Sequence, residues 1–101
     1  MTFQRKKPMP NCFSVEGYAV YFWSNENSPL EPVHVHVSKG RRSPNTTKVW
    51  ILSDGTVELD SNKSHISEPE LRRILRLIED YAGEIVSKWE EYFNVPATFI
   101  R

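Results

Sequence analysis

The chain has a single cysteine, no apolar run long enough to cross a bilayer, and no net charge. Cys12 alone cannot form an internal disulfide, which fits a reducing compartment. Spanning a bilayer takes roughly 18 consecutive apolar residues, so no membrane partner is expected. Arg5, Lys6 and Lys7 make the N-terminus basic, but the apolar segment of a secretory signal does not follow them. The expected location is therefore the cytoplasm. Ready-made chemistry is missing too. The chain has no Cys-x-x-Cys, no His-Glu-x-x-His, no P-loop, no Gly-rich phosphate cradle and no recognisable Ser-His-Asp arrangement. Cys12 has no local context to activate it and reads as inert.

What is present describes one globular domain. The 101 residues are 39% apolar, and three Trp, four Tyr and five Phe are spread along the chain. That is enough for one core and too little for two. Charge is balanced but unevenly placed. Residues 1–50 hold seven basic and three acidic residues, a balance of +4, and residues 51–101 hold six and ten, a balance of −4. A basic half can attract phosphate, and an acidic half repels it. The plainer reading is a mixed-charge, soluble surface.

Residues 1–12 read as a tail broken by Pro8 and Pro10, with 1–8 flexible and basic and the domain spanning 9–94. Tyr18 to Trp23 is rich in strand formers and runs into a turn-prone stretch, Ser24 to Pro29. A second strand covers about Val33 to Ser38. The loop Lys39 to Asn45 is basic and punctuated by Gly40 and Pro44. Lys48 to Leu52 is a third strand. Asp54-Gly55 marks a tight turn into a short fourth, Val57 to Leu59. Ser67 and Glu70 are spaced as a capping box, Pro69 suits a first turn, and Ile66 and Leu71 occupy the staple positions. Leu71, Leu75, Ile78, Ala82, Ile85, Trp89 and Tyr92 then alternate steps of four and three, widened by Ile74, Tyr81, Val86 and Phe93. This predicts an amphipathic helix of about 25 residues, ending near Asn94 ahead of Pro96. Gly83 kinks that helix or splits it. Residues 95–101 read as a C-terminal tail. The order implies an α+β domain: a small, mainly antiparallel sheet of three to four strands with a long C-terminal helix on one face.

The sharpest motif is Pro32-Val33-His34-Val35-His36-Val37. Side chains alternate along a strand, so Val33, Val35 and Val37 share one face, and His34 and His36 share the other. The valines belong inside, which turns the histidines toward the uncovered face or a sheet edge. An exposed pair of imidazoles suits general acid–base catalysis. Lys39, Arg41 and Arg42, just beyond it, are candidates to hold an RNA phosphate. The same pair supplies two ligands of a zinc-like site, which needs at least three. Glu31, Glu58, Asp60 and His65 are possible thirds, and no spacing selects one, so no cofactor is expected outright. The third reading is structural: two histidines bonded to nearby loops or to a protein partner. Tyr21 and Trp23 form a candidate aromatic surface on which a base can stack, although core coverage explains them equally. Arg72, Arg73 and Arg76 crowd the first turns of the helix against its dipole, with Glu68, Glu70, Glu79 and Asp80 available to offset them.

Met9-Pro10, Gly17-Tyr18, Tyr21-Phe22-Trp23-Ser24-Asn25-Glu26, Glu31 to Val37, Lys39-Gly40 and Lys48 to Leu52 together resemble a small bacterial family known only as a domain of unknown function, number four-one-six-zero. Ile66-Ser67, Glu70 to Ile74 and Trp89-Glu90-Glu91-Tyr92-Phe93 resemble its helix. The likeness covers about Met9 to Asn94. The chain departs from the pattern at Val33, where the family usually has a second proline, and in residues 1–8, which precede its usual start. The resemblance implies a setting and no mechanism: such genes often lie beside that of a second small protein, in pairs proposed as toxin–antitoxin modules. The leading expectation is thus a component of such a pair that binds a small cognate protein encoded nearby. A metal-independent ribonuclease using His34 and His36, and a divalent-metal module on the same pair, are the alternatives. Self-association stays open.

Overall fold

The computed structural model describes residues 11–23, 30–40 and 43–101, with the side chains of Asn11, Cys12 and Val15 outside the description. The basic tail 1–8, the turn 24–29, Arg41 and Arg42 therefore lie outside the described residues, as does the reading of Cys12 as inert.

Five strands and two helices follow one another: β1 (Asn11–Val15), β2 (Tyr18–Tyr21), β3 (His34–Lys39), β4 (Thr47–Ile51), β5 (Val57–Asn62), α1 (Glu68–Asp80) and α2 (Ala82–Phe93). The sheet is an antiparallel meander in the order β1-β2-β3-β4-β5. The α+β class holds, with five strands in place of three to four. The added strand is β1, which falls where no strand was expected. Its signal is the turn that follows: Glu16 and Gly17 both take positive φ, 49° and 85°. That is the pair of conformations a two-residue hairpin needs, and glycine tolerates it at the second position. At the other hairpin the Asp54-Gly55 turn forms as expected. Leu52 N–H donates to Thr56 C=O at 2.8 Å, and the Asp54 carboxylate accepts from Thr56 N–H and Oγ1.

The expected single helix is two. The break falls at Tyr81 (φ −106°, ψ 13°), two residues before Gly83. Tyr81 N–H divides between the carbonyls of Leu77 and Ile78, 3.2 and 3.1 Å away, a shared bond typical of a helix end. The break turns the Tyr81 ring onto Phe13 of β1, 5.0 Å between centroids. Ser67 does occupy the N-cap position, but no side-chain cap bond forms. Glu70 instead accepts a 2.6 Å hydrogen bond from the Tyr18 hydroxyl, tying the helix start to β2. Of the arginines of α1, one is offset by an expected carboxylate and one from an unforeseen direction. Arg73 pairs with Glu16 in the β1–β2 turn, while Arg72 reaches Glu68 at 3.5 Å. Asn94 closes α2 in the left-handed conformation.

The core forms where the valine face meets the helical stripe. Val33, Val35 and Val37 are fully buried with Val20, Phe22, Val49 and Ile51, against Ile74 and Ile78 of α1 and Ala82, Ile85 and Trp89 of α2. The segment 95–101 adds to this closure. Thr98 C=O accepts from Val33 N–H at 2.8 Å, and Arg101 C=O accepts from Ser53 N–H at 2.9 Å. Ala97 and Phe99 pack on the core, and Arg101 pairs with Glu58.

Candidate functional site

His34 and His36 share a strand face as the alternation requires, but that face is not open. His34 is 0% and His36 is 9% exposed. The expectation that they point to an uncovered surface is corrected, because β2 and β3 are central strands buried on both faces. The rings meet edge to face at 5.1 Å. Nδ1 of His34 lies 2.9 Å from Pro32 C=O, an acceptor, so Nδ1 carries the proton. Nδ1 of His36 lies 3.0 Å from Thr46 Oγ1. Cross-strand register places Tyr21 and Lys48 beside His36, and Trp50 beside His34.

These residues form a continuous aromatic layer. Trp23 meets Tyr21 and His36, Tyr21 stacks on His36 at 5.9 Å, and His34 touches Trp50 and Trp89, each at 5.3 Å. Tyr21 is itself fully buried and Trp23 half-buried, so the aromatic surface expected of them is largely interior. Trp89 carries the layer into α2. Its ring packs on Phe22 and Phe93, and Tyr92 closes edge to face on both of those. The Trp89 indole N–H is buried and meets no acceptor among the described residues. Rings in tilted and edge-to-face contact at these distances attract one another beyond their burial.

The other candidate residues are not gathered at the histidines. Lys39 lies on the valine face, registered with Tyr18 at the far end of β3. The cation opposite His36 is Lys48, which strand register identifies and sequence spacing does not. Lys48 Nζ bonds Glu31 at 2.9 Å and sits 4.4 Å above the Trp50 ring. Glu31 also approaches His34 Nδ1, at 3.8 Å. Asp60 accepts the Trp50 indole N–H, Glu58 is held by Arg101, and His65 is exposed in the turn before α1 with φ 59°. Among the described residues, no three His, Cys, Asp or Glu side chains are grouped to hold a metal ion.

Two surface features escaped the sequence reading. One is the outer end of α2, where Tyr92 and Val95 are exposed beside Pro96. The other is a cavity of about 250 Å³ between β1 and the helix break, lined by Phe13, Ser14, Leu77, Tyr81, Glu84, Ile85 and Lys88. Its wall on β1 depends on a strand that the sequence did not reveal.

No helix among the described residues is long and apolar enough to cross a membrane. No curated protein and no solved structure matches the chain. A family model does, over residues 17–90, from the β1–β2 turn into the last turns of α2, and that span includes both histidines and Trp89. The chain therefore belongs to the family described as a domain of unknown function (DUF4160).

Proposed function

We propose that this chain is a protein-binding module: a small cytoplasmic bacterial protein of a two-gene, toxin–antitoxin-like pair that works by gripping the cognate protein encoded beside it. One observation carries the reading. Of the five large apolar side chains exposed among the described residues, Tyr92 and Val95 lie at and just beyond the end of α2, and Ile100 follows in the segment after it. Tyr92 is supported from beneath by Phe22 and Phe93. A rigidly backed tyrosine loses little entropy on binding and suits the centre of an interface. The buried histidines then have a supporting role, holding Trp50 and Trp89 in the layer that continues to Tyr92.

The ribonuclease alternative asks more of the molecule. RNA would have to reach imidazoles that are enclosed, and Lys39 lies on the opposite strand face. The deciding experiment is calorimetric titration of the full chain with the product of the adjacent gene. Tyr92→Ala is expected to weaken binding by about thirtyfold, the roughly 2 kcal/mol of a central aromatic contact. Unchanged affinity, or no binding by the wild-type chain, would overturn the reading. RNA cleavage without added metal that disappears in His36→Ala would move the function to the ribonuclease alternative.

A further inference from the structure

We infer that the cavity beside β1 binds a free aromatic α-amino acid, held by its ring and by both charges of its head. The site stands apart from the partner surface at Tyr92 and does not rest on it.

Size and lining limit the occupant. The cavity measures about 250 Å³. That is more than the roughly 150 Å³ that accepts benzene and less than the roughly 300 Å³ at which drug-sized sites begin. One ring with a small head fits. The walls suit a ring: Phe13 and Tyr81 meet at 5.0 Å, tilted by 41°, and Ile85 of α2 is buried beside them. A further ring packed on such a pair gains attraction beyond its burial.

The polar groups specify the head. Glu84 and Lys88 both line the cavity, both are exposed, and neither joins an ion pair among the described residues. An acid four residues before a base is the order that pairs best along a helix, yet these two stay unpaired. Ser14 lines the cavity from the sheet. Its neighbour Phe13 turns to Tyr81, so by alternation the Ser14 side chain belongs to the other face, and Ser14 meets the cavity along the strand edge. β1 is the outer strand of the sheet among the described residues. In a two-residue hairpin the flanking pair, Val15 and Tyr18, bonds across the strands, so the next residue, Ser14, turns its N–H and C=O outward. No turn or loop among the described residues bonds to either group.

The site thus offers Lys88 and the Ser14 N–H to an anion, and Glu84 and the Ser14 C=O to a cation. A carboxylate alone would bring its charge up against Glu84, and an amine alone would bring its charge up against Lys88. A head that carries both on one carbon matches all four groups, and an α-amino acid is the smallest ring-bearing molecule that has one.

NMR titration of the full chain tests this. L-Phenylalanine is expected to bind with a Kd below about 1 mM. Phenylpropionate lacks the ammonium and phenethylamine lacks the carboxylate, and each is expected to bind about tenfold more weakly, the loss of one charge-assisted contact. L-Alanine, which lacks the ring, is expected not to bind at about 10 mM. Glu84 and Lys88 are exposed, so replacing them leaves the core untouched. Lys88→Gln should weaken phenylalanine about tenfold and leave phenethylamine within about twofold, because only the first presents a carboxylate. Glu84→Gln should weaken phenylalanine equally and spare phenylpropionate. Absence of phenylalanine binding at about 10 mM overturns the proposal. So does equal affinity for phenylalanine and the two analogues, which would make the cavity an apolar hollow only, or affinity unchanged in both variants, which would place the ligand elsewhere.

Discussion

His34 shows how far a single residue can be read. The alternation in Val33 to Val37 was sufficient to place three valines on one face and two histidines on the other. It said nothing about what lies over the second face, because burial depends on segments distant in sequence. With His34 enclosed between Trp50 and Trp89 and bonded to Pro32, its removal leaves a cavity and an unmatched carbonyl. His34→Ala is expected to cost about 2–4 kcal/mol in denaturant unfolding; a cost under 0.5 kcal/mol would place the ring at the surface after all. Glu16 supplies a second residue-scale prediction. The hydrogen bond from Arg73 holds its carboxyl below the ordinary range, against a weaker opposing push from desolvation. A depressed folded-state pKa contributes stability above the unfolded value of about 4.5, lost as pH falls through the folded one. Glu16→Gln should therefore lower stability at neutral pH and flatten the acid side of the stability profile below pH 4.5. A profile identical to wild type would show that the pair contributes nothing.

At the scale of elements, local rules succeeded where the partner was local. Asp54-Gly55 turned as its chemistry dictates, and the stripe from Leu71 to Trp89 buried Ile74, Ile78, Ala82, Ile85 and Trp89. The rules failed where a distant residue competed. Ser67 and Glu70 have the spacing of a capping box, yet the carboxylate of Glu70 is taken by Tyr18, 52 residues away. The helix breaks at Tyr81 rather than at the flexible Gly83, where the tyrosine ring meets Phe13. A capping serine usually contributes about 1 kcal/mol. Here Ser67→Ala is expected to cost under about 0.5 kcal/mol, because the cap bond is not made. Tyr18→Phe, which leaves the ring in place and removes the bond to Glu70, should cost about 0.5–1.5 kcal/mol. Chemical unfolding of the two variants ranks them, and the reverse order would mean that the capping box forms in solution.

For the whole molecule, closure comes from a part of the chain that its own sequence gave little reason to value. Residues 95–101 open on Val95-Pro96, show no helical period, and read naturally as a tail. Their partners are distant: Thr98 meets Val33 at the entrance to the histidine strand, and Arg101 meets Ser53 at the end of β4. Val33 C=O in turn accepts from Ile51 N–H at 3.2 Å, so the segment fastens the β3–β4 pair on which the histidines and Trp50 stand. Phe99 and Ala97 extend the core beneath it, and Ala97 N–H is held by Glu90 of α2 at 2.8 Å. Deleting residues 97–101 therefore removes two backbone hydrogen bonds, an ion pair and part of the apolar cover together. At about 4–8 °C per kcal/mol for a domain of this size, the melting temperature is expected to fall by at least 8 °C. Tryptophan fluorescence should change as well, since both Trp50 and Trp89 contact the histidine strand that the segment anchors. Phe99→Ala distinguishes apolar cover from the backbone bonds, and a loss of about 1–3 kcal/mol there assigns the larger share to packing. A deletion that melts within 2 °C of the full chain would show the segment undocked in solution, leaving β3 to be held by its sheet neighbours alone.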